Sequence, residues 1–364
     1  MRRTPLLSLH ESLGAEIGDF AGWASPLWFE GVRQEHGAVR DGAGIFDISH
    51  MTRTVVRGGD AGKLLTRITS YNVSTLKEMR MKYCLILNED AGIIDDVTVL
   101  RVAGDSFLVV SNAATRERVV SWMLEHAVGD VMVEDVTEST ALLAVQGPAS
   151  SKHVSEWLGE DVSGMKWFSG RITNFGGCTV LVTRSGYTGE DGFEICILCG
   201  VKENYVKIFE RFTGAGVKPC GLACRDILRL EAGYPLYGQD MDERTTPLEA
   251  RLEWAVRLDN EFFIGRDRYL ELERVGPSKL LVGLEMVEQG IPRHGYRVLS
   301  QNDDTIGYVT SGGYSYSLGK GIALGYIQRQ HVGEGVDVTV DIRGRKRRAK
   351  IRLGPFVKPR IPKL

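Results

Sequence analysis

Apolar residues recur along this chain with two periods, and the shorter one dominates. Runs rich in β-branched residues, bounded by Gly, Asp or Asn, lie around Val55 and at 83–87, 97–102, 106–112, 131–136, 141–147 and 179–184, and in GFEICIL at 192–198. Such runs read as strands. Helical spacing is interleaved with them. In AATRERVVSWMLEHAV, Val119 with Met123 and Val120 with Leu124 stand four apart, which predicts one apolar face. Tyr205, Ile208 and Phe209 do the same in VKENYVKIFERF. Asp60 stands where it would cap a helix over AGKLLTRIT.

Between 83 and 136 the order is strand, turn, strand, turn, strand, helix, strand. The turns NEDAG and AGD are short, so the strands pair as antiparallel neighbours with a helix on one face. From 278 onward the pattern changes to short strands alone: LLVGLEM, YRVL, TIGYVTSGG, GIALGYI, VDVTVDI and RRAKIRL. Close-set turn signals there predict a small β-barrel or jelly roll, with the joint near 274–277.

The chain has 364 residues, too many for one ordinary core, so two or three domains are expected. A charged fraction of 25% and a net charge of −2 give no bulk attraction to nucleic acid or to an anionic membrane. No apolar run approaches the ~20 residues of a bilayer span. The N-terminal MRRTPLLSLHESLGA lacks the apolar stretch of a signal peptide, and a cytoplasmic prokaryotic protein is the simplest account. Six cysteines occur, and Cys196-x-x-Cys199 with Cys220-x-x-x-Cys224 invites a zinc reading. On a strand, however, residues three apart face opposite sides, so four sulfurs would not converge. Buried free thiols and no metal are expected instead.

Three segments carry candidate chemistry. SGYTGEDGFE joins a Gly/Asp turn to a strand that delivers Glu194. GIIDD places Asp95 and Asp96 side by side in an extended segment. Only one of two adjacent strand residues can enter a given pocket, and a solvent-facing acid suits Asp95 better. The third is GLACRDILRLEAGYPLYGQDMD at 221–242. With RTPL, DFAGWASPL, GIFDISHM, TPLEARLEWAV and YVTSGGYSYSLGKGIALGYI, these motifs run over essentially the whole length. Together they resemble the T-protein family of folate-dependent aminomethyltransferases of the glycine cleavage system.

That resemblance implies an α+β, three-domain cloverleaf-like arrangement. Two mixed domains are built on antiparallel sheets, and a C-terminal jelly-roll-like β-barrel follows. The implied boundaries are 1–50 with 140–244 for a discontinuous folate-binding domain, 51–139 with 245–277 for the second, and 278–364 for the barrel. The implied reaction passes the methylene carbon from the aminomethyl-dihydrolipoyl arm of a lipoylated H-protein to tetrahydrofolate, releasing ammonia. By position, Asp96 is the implied catalytic acid and Glu194 the carboxylate that grips the pterin edge. Arg225 belongs to the same site. Met51, Val55, Tyr83, Val110, Asn112, Trp167, Phe168 and Tyr234 are the implied folate contacts. His50 is implied to be structural.

The residue types suit this chemistry. A carboxylate can accept two parallel N–H donors from a flat heterocycle, fixing its orientation. A second, ionised carboxylate can stabilise positive charge as an amine is attacked and ammonia leaves. Taken alone, Glu194 would read as a solvent-facing strand residue, the tyrosines and Met51 as core packing, and Asn112 as a turn residue. Two departures from the family pattern are Tyr316, where Pro is common, and Leu100, where an aromatic is frequent. The alternatives are another folate-dependent demethylase of the same superfamily and a non-catalytic folate-binding module. The signature cysteine of the latter is missing from EAGYPLYGQDMD. The basic stretch at 343–360 is expected to be a charged strand face, or a docking surface for an acidic carrier or for a folate glutamate tail.

Overall fold

The computed structural model describes residues 1–362. Its strands make three open sheets and one closed barrel. A six-stranded sheet runs in the order Gly170–Phe175, Cys178–Thr183, Gly192–Ile197, Ala141–Gln146, Gly44–Asp47, Lys218–Pro219. A five-stranded sheet runs Met81–Leu87, Ile93–Ala103, Ser106–Ser111, Thr52–Arg57, Met132–Asp135. A small three-stranded sheet near the N-terminus centres on Trp23–Trp28. The last six strands, from Lys279–Met286 to Arg345–Arg352, close into a barrel of antiparallel pairs. The α+β expectation with a C-terminal barrel therefore holds. Among the described residues no helix is long and apolar enough to cross a membrane.

The two large sheets are backed by helices that the apolar spacing predicts. Tyr205, Ile208, Phe209 and Phe212 of the helix Lys202–Gly214 pack under the six-stranded sheet on Val180, Phe193 and Ile195. The helix Arg116–His126 buries Val119 and Met123 against the five-stranded sheet as expected, but Leu124 is 55% exposed. Trp122 takes its place, because it stands three residues on from Val119 and turns inward. Asp60 stands at the start of the helix Ala61–Ile68 but makes no cap bond. Its carboxylate instead takes Lys63 at 2.7 Å and the Asp130 N–H at 3.0 Å.

A third apolar cluster joins the two large sheets. Phe46, Ile48, Leu142 and Leu181 of one meet Met81, Leu100 and Leu108 of the other, with Cys224 and Leu228 of the helix Leu222–Glu231. Leu100 is 1% exposed here, so it acts through packing. The candidate site residues Met51, Val55, Val110 and Phe168 pack against this cluster.

The helix Leu222–Glu231 also ties in the barrel. Arg229 donates to Asp240 at 2.8 Å and to Ser311 of the barrel at 2.9 Å. Glu231 accepts from Arg40 at 2.5 Å, His36 at 2.9 Å, and Ser315 and Ser317 of the barrel at 2.5 and 2.9 Å. The SYSLG loop thus docks on this helix, with Tyr316 5.4 Å from the His36 ring. Much of the basic strand Arg345–Arg352 is neutralised locally. Lys346 pairs with Asp303 at 2.7 Å, Arg348 with Glu288 at 3.2 Å and Arg352 with Glu285 at 3.4 Å. This matches the charged-strand-face reading.

The expectation of six free thiols is corrected. Cys178 and Cys199 form a disulfide with Cα atoms 5.6 Å apart, while Cys84, Cys196, Cys220 and Cys224 are free and buried. The register explains the pair. Val180 faces Ile197 across an antiparallel ladder, so Cys178 and Cys199 come opposite one another two steps further on. Local x-x spacing could not show this. Thiol titration of the denatured, unreduced protein should count four free thiols, and a count of six would refute the bridge.

Glu231 gives a second test. Burial alone would raise its pKa, but hydrogen bonds from His36 and Ser315 and the charge of Arg40 outweigh it and hold the carboxyl down to about 2. A depressed carboxylate stabilises the fold fully above its ordinary value of 4.5, and the contribution fades as pH falls toward about 2. Glu231→Gln leaves Arg40 short of a partner and should cost about 3 kcal/mol in urea denaturation at neutral pH. The gap from the unsubstituted protein should narrow in acid.

Candidate active site

The strand Ile93–Ala103 brings both aspartates into the five-stranded sheet, where Asp95 lies opposite Ile86 and Asp96 opposite Leu85. Their side chains take opposite faces, as the pleat requires. Asp96 is half-buried. Asp95 is 0% exposed, which overturns its expected place in solvent. The cause is the segment after Glu231, which covers that face. Tyr237 Oη donates to the Ile93 carbonyl at 3.1 Å, and the Ile93 N–H donates to the Thr245 carbonyl at 2.9 Å.

Asn112 ends the neighbouring strand Ser106–Ser111 and reaches both acids. Its Nδ2 donates to Asp95 Oδ1 at 2.7 Å and to Asp96 Oδ1 at 2.8 Å. Tyr83 Oη donates to Asp96 Oδ2 at 3.1 Å. Burial pushes the Asp96 carboxyl up to about 6, against the hydrogen bonds from Tyr83 and Asn112 and the charge of Arg225. An acid so placed changes charge near physiological pH.

Glu194 sits on Gly192–Ile197 beside Thr183 of the next strand. Among the described residues Ser185 Oγ is its hydrogen-bond donor, at 2.7 Å on Oε2. Burial raises its pKa, opposed by Ser185 and by Arg225. The turn before it needs its glycines. Gly189 has φ +75°, and a Cβ on Gly192 would come 2.2 Å from Gln146 Nε2.

Arg225 projects from the helix Leu222–Glu231, and its charge acts on both Glu194 and Asp96. Its Cζ lies 4.6 Å from the Tyr187 ring centroid, a cation–π distance. Tyr187 in turn stacks on Tyr234 at 5.7 Å and donates its hydroxyl to the Pro235 carbonyl. Phe20, Tyr187, Leu222, Arg225 and Leu236 line a cleft here.

Met51, Val55, Val110 and Phe168 are half-buried and each packs against the seam cluster, giving it an apolar wall. Trp167 is 4% exposed, with its ring 5.6 Å from that of Phe168, which places it behind the wall. His50 is buried beside Phe20. Burial and the charge of Arg225 push it down to about 3, so it is neutral.

Sequence reasoning gave Tyr187, Ser185 and Trp254 no place in the site and set Asp95 in solvent. Tyr187 and Ser185 stand in the same motif as Glu194, and that proximity was the available signal. Trp254 is 61% exposed and stacks on Tyr83 at 5.2 Å with 18° between rings. Nothing local in TPLEARLEWAV marks it. Two other features lie apart from these acids. A cavity of about 330 Å³ opens beside His153, Trp157, Arg211 and Phe212. Glu35 lies close to Cys220 and Cys224, but its carboxylate already accepts the N–H groups of Phe29, Gly31 and Gly221.

A seam between two sheets that presents acids, one arginine and stacked tyrosines defines an enzyme-like small-molecule site. The comparisons with known proteins agree with that class. Residues 6–260 match the family model of the GCVT N-terminal domain, and 279–358 match the glycine cleavage T-protein C-terminal barrel domain. The aminomethyltransferase of Geobacillus thermodenitrificans is 41% identical over 364 residues, covering 98% of this chain and 99% of that protein. That of Bacillus subtilis is 39% identical over 361 residues, with 98% and 99% covered. A crystal structure of glycine cleavage system aminomethyltransferase T from Bartonella henselae superposes with TM-score 0.93 at 36% identity, covering 100% of this chain and 99% of that one. The chain belongs to the glycine cleavage T-protein family and is, with it, a transferase.

Tyr83→Phe removes a hydrogen bond that favours the ionised form of Asp96. The Asp96 carboxyl, followed by carbon NMR, should titrate about one pH unit higher than in the unsubstituted protein. An unchanged midpoint would mean that the Tyr83 contact does not act on the charge.

Proposed function

We propose that this chain is a glycine cleavage aminomethyltransferase that takes the carbon from an aminomethyl-dihydrolipoyl arm on a lipoylated H-protein. The carbon passes to tetrahydrofolate, giving 5,10-methylenetetrahydrofolate, ammonia and dihydrolipoyl H-protein. The observation that carries the reading is Asp96, whose two oxygens are held by Tyr83 and Asn112 so that one acid is fixed for one reacting atom. Near-full-length likeness to aminomethyltransferases supports the same activity. No observation favours a demethylase or a non-catalytic module.

The residues present fit a reduced folate. Among the described residues Glu194 Oε1 takes no side-chain donor while Ser185 holds Oε2, leaving an acceptor for the donor edge of a pterin. Met51, Val55, Val110 and Phe168 offer apolar contact to its faces, with Trp167 supporting Phe168 from behind. Tyr234 and Tyr187 form a stacked pair beside Arg225. Folate supplies the amine that accepts the carbon, and Asp96 does the protein's part at that atom. Held by Tyr83 and Asn112, its carboxylate orients the amine and stabilises positive charge as ammonia leaves. Because the geometry is set before substrate arrives, little reorganisation is needed.

The division at 1–50 with 140–244, 51–139 with 245–277, and 278–364 fits this reading, since it sets the reacting acid and the gripping acid on different domains. The proposed compartment is the cytoplasm.

Two isosteric variants should separate the roles. Asp96→Asn should lower kcat about a hundredfold or more with little change in folate affinity. Glu194→Gln should weaken folate binding about tenfold or more while sparing kcat at saturation. Turnover is read as ammonia released from glycine in a mixture with the partner proteins. Equal losses of kcat and affinity in Asp96→Asn would reduce Asp96 to a binding residue.

A further inference from the structure

Asp95 is a fully enclosed carboxyl group to which the transfer chemistry above gives no task. Asn112 Nδ2 donates to its Oδ1 at 2.7 Å, and the Asn112 N–H donates to its Oδ2 at 3.0 Å. Thr115 Oγ1 lies 2.7 Å from that same Oδ2. Among the described residues no Lys, Arg or His pairs with it. A buried carboxylate without a cation is expensive, and neutralising it is the common remedy.

The hydrogen count around Thr115 points the same way. Its hydroxyl lies 2.7 Å from Asp95 Oδ2 and 3.0 Å from the Asn112 carbonyl, yet it owns one hydrogen. Each contact has a hydrogen of its own, without sharing one between two acceptors, if Asp95 brings a proton. Then Asp95 Oδ2–H donates to Thr115, and Thr115 donates to the Asn112 carbonyl. The Asn112 N–H still finds a lone pair on Oδ2, and Nδ2 still spans Asp95 Oδ1 and Asp96 Oδ1. Every donor in the cluster has an acceptor.

We propose that Asp95 is a positioning residue that holds a proton in the resting enzyme, locks the Asn112 amide, and leaves Asp96 the one negative charge of the pair. The inference rests on the aminomethyl-transfer reading for its kinetic consequence, but not for the protonation itself. Electrostatics agree with the geometry. Burial first, and the charge of Asp96 second, push the Asp95 carboxyl up to about 8, while Asp96 ionises near about 6. The groups that bear on the pair are Tyr83 and Tyr237, whose hydroxyls are themselves pushed up and stay neutral, and Tyr187 and Arg225, which act on Asp96. None supplies a cation to Asp95.

Infrared difference spectra of the full chain, without substrates, read the proton directly. A protonated-carboxyl band should vanish as pH rises through about 8 and should be missing in Asp95→Asn. In Asp96→Asn the band should remain and vanish at lower pH, because the like charge is gone. No band titrating at about 8, above the one that Asp96 contributes at about 6, or a band at about 8 that survives in Asp95→Asn, overturns the proposal. In the kinetic arm, Asp95→Asn mimics the neutral acid and should keep kcat within about tenfold, far above Asp96→Asn. In the unsubstituted protein the rate should rise at about 6 and change again at about 8, and Asp95→Asn should remove the second step while keeping the first. A loss as deep as that of Asp96→Asn would show that charge on Asp95 is required, and the proposal fails. If the unsubstituted protein releases no ammonia at all, the transfer reading falls, and the infrared arm still decides Asp95.

Discussion

The buried carboxylate of Glu231 is the contact on which the assembly turns. It ends the helix Leu222–Glu231 and accepts hydrogen bonds from Arg40 and His36 on one side and from two barrel serines on the other. Arg40 also reaches Glu190 at 2.7 Å, and Glu190 in turn holds Arg360 near the C-terminus at 2.8 Å. Taking such charges out of water costs several kcal/mol per ion, so a network of this kind is weak evidence for stability as such. What it provides is placement. The barrel, the six-stranded sheet and the site helix meet at one set of directional bonds, and a slip of any of them strands a buried charge.

That placement reaches the chemistry through a single helix. Glu231 and Arg229 anchor its C-terminal end to the barrel, and Arg225 stands between one and two turns earlier, beside Tyr187. A helix is stiff over this length, so fixing its end fixes the guanidinium. Glu194 and Asp96 come from two different sheets, and Arg225 is the charge they share. The fold therefore separates the two acids in sequence and lets one cation bring them to a common electrostatic purpose.

Much of this was legible from the pattern of residues. The strands at 83–87, 97–102 and 106–112 and the six barrel strands stand out because turn residues bracket them. The strand Gly44–Asp47 does not, because it is buried on both faces and shows no alternation. The cross-sheet disulfide depended on register, which a one-dimensional reading does not contain. At the site, Asp96, Glu194, Arg225 and the apolar wall were legible through whole-chain motifs. Asp95 was misplaced because what buries it, the stretch holding Tyr237 and Thr245, comes about 140 residues later in the chain. Trp254 was missed for the same reason, since its partner Tyr83 is far away in sequence.

The charge balance of the site follows from the same burial. A transfer that builds positive charge at an amine is helped by a surplus of negative charge held nearby. Arg225 alone would offset much of that surplus, and a protonated His50 next to it would offset more. Burial and Arg225 itself prevent this by keeping His50 neutral, pushed down to about 3. Stacking Arg225 over Tyr187 further spreads its charge across a ring face instead of committing it to a bidentate pair with either acid. Glu194 and Asp96 thus keep acceptor capacity that a direct salt bridge would consume. Arg225 bears on both acids through its charge, and their oxygens answer to Tyr83, Asn112 and Ser185 instead of to the guanidinium.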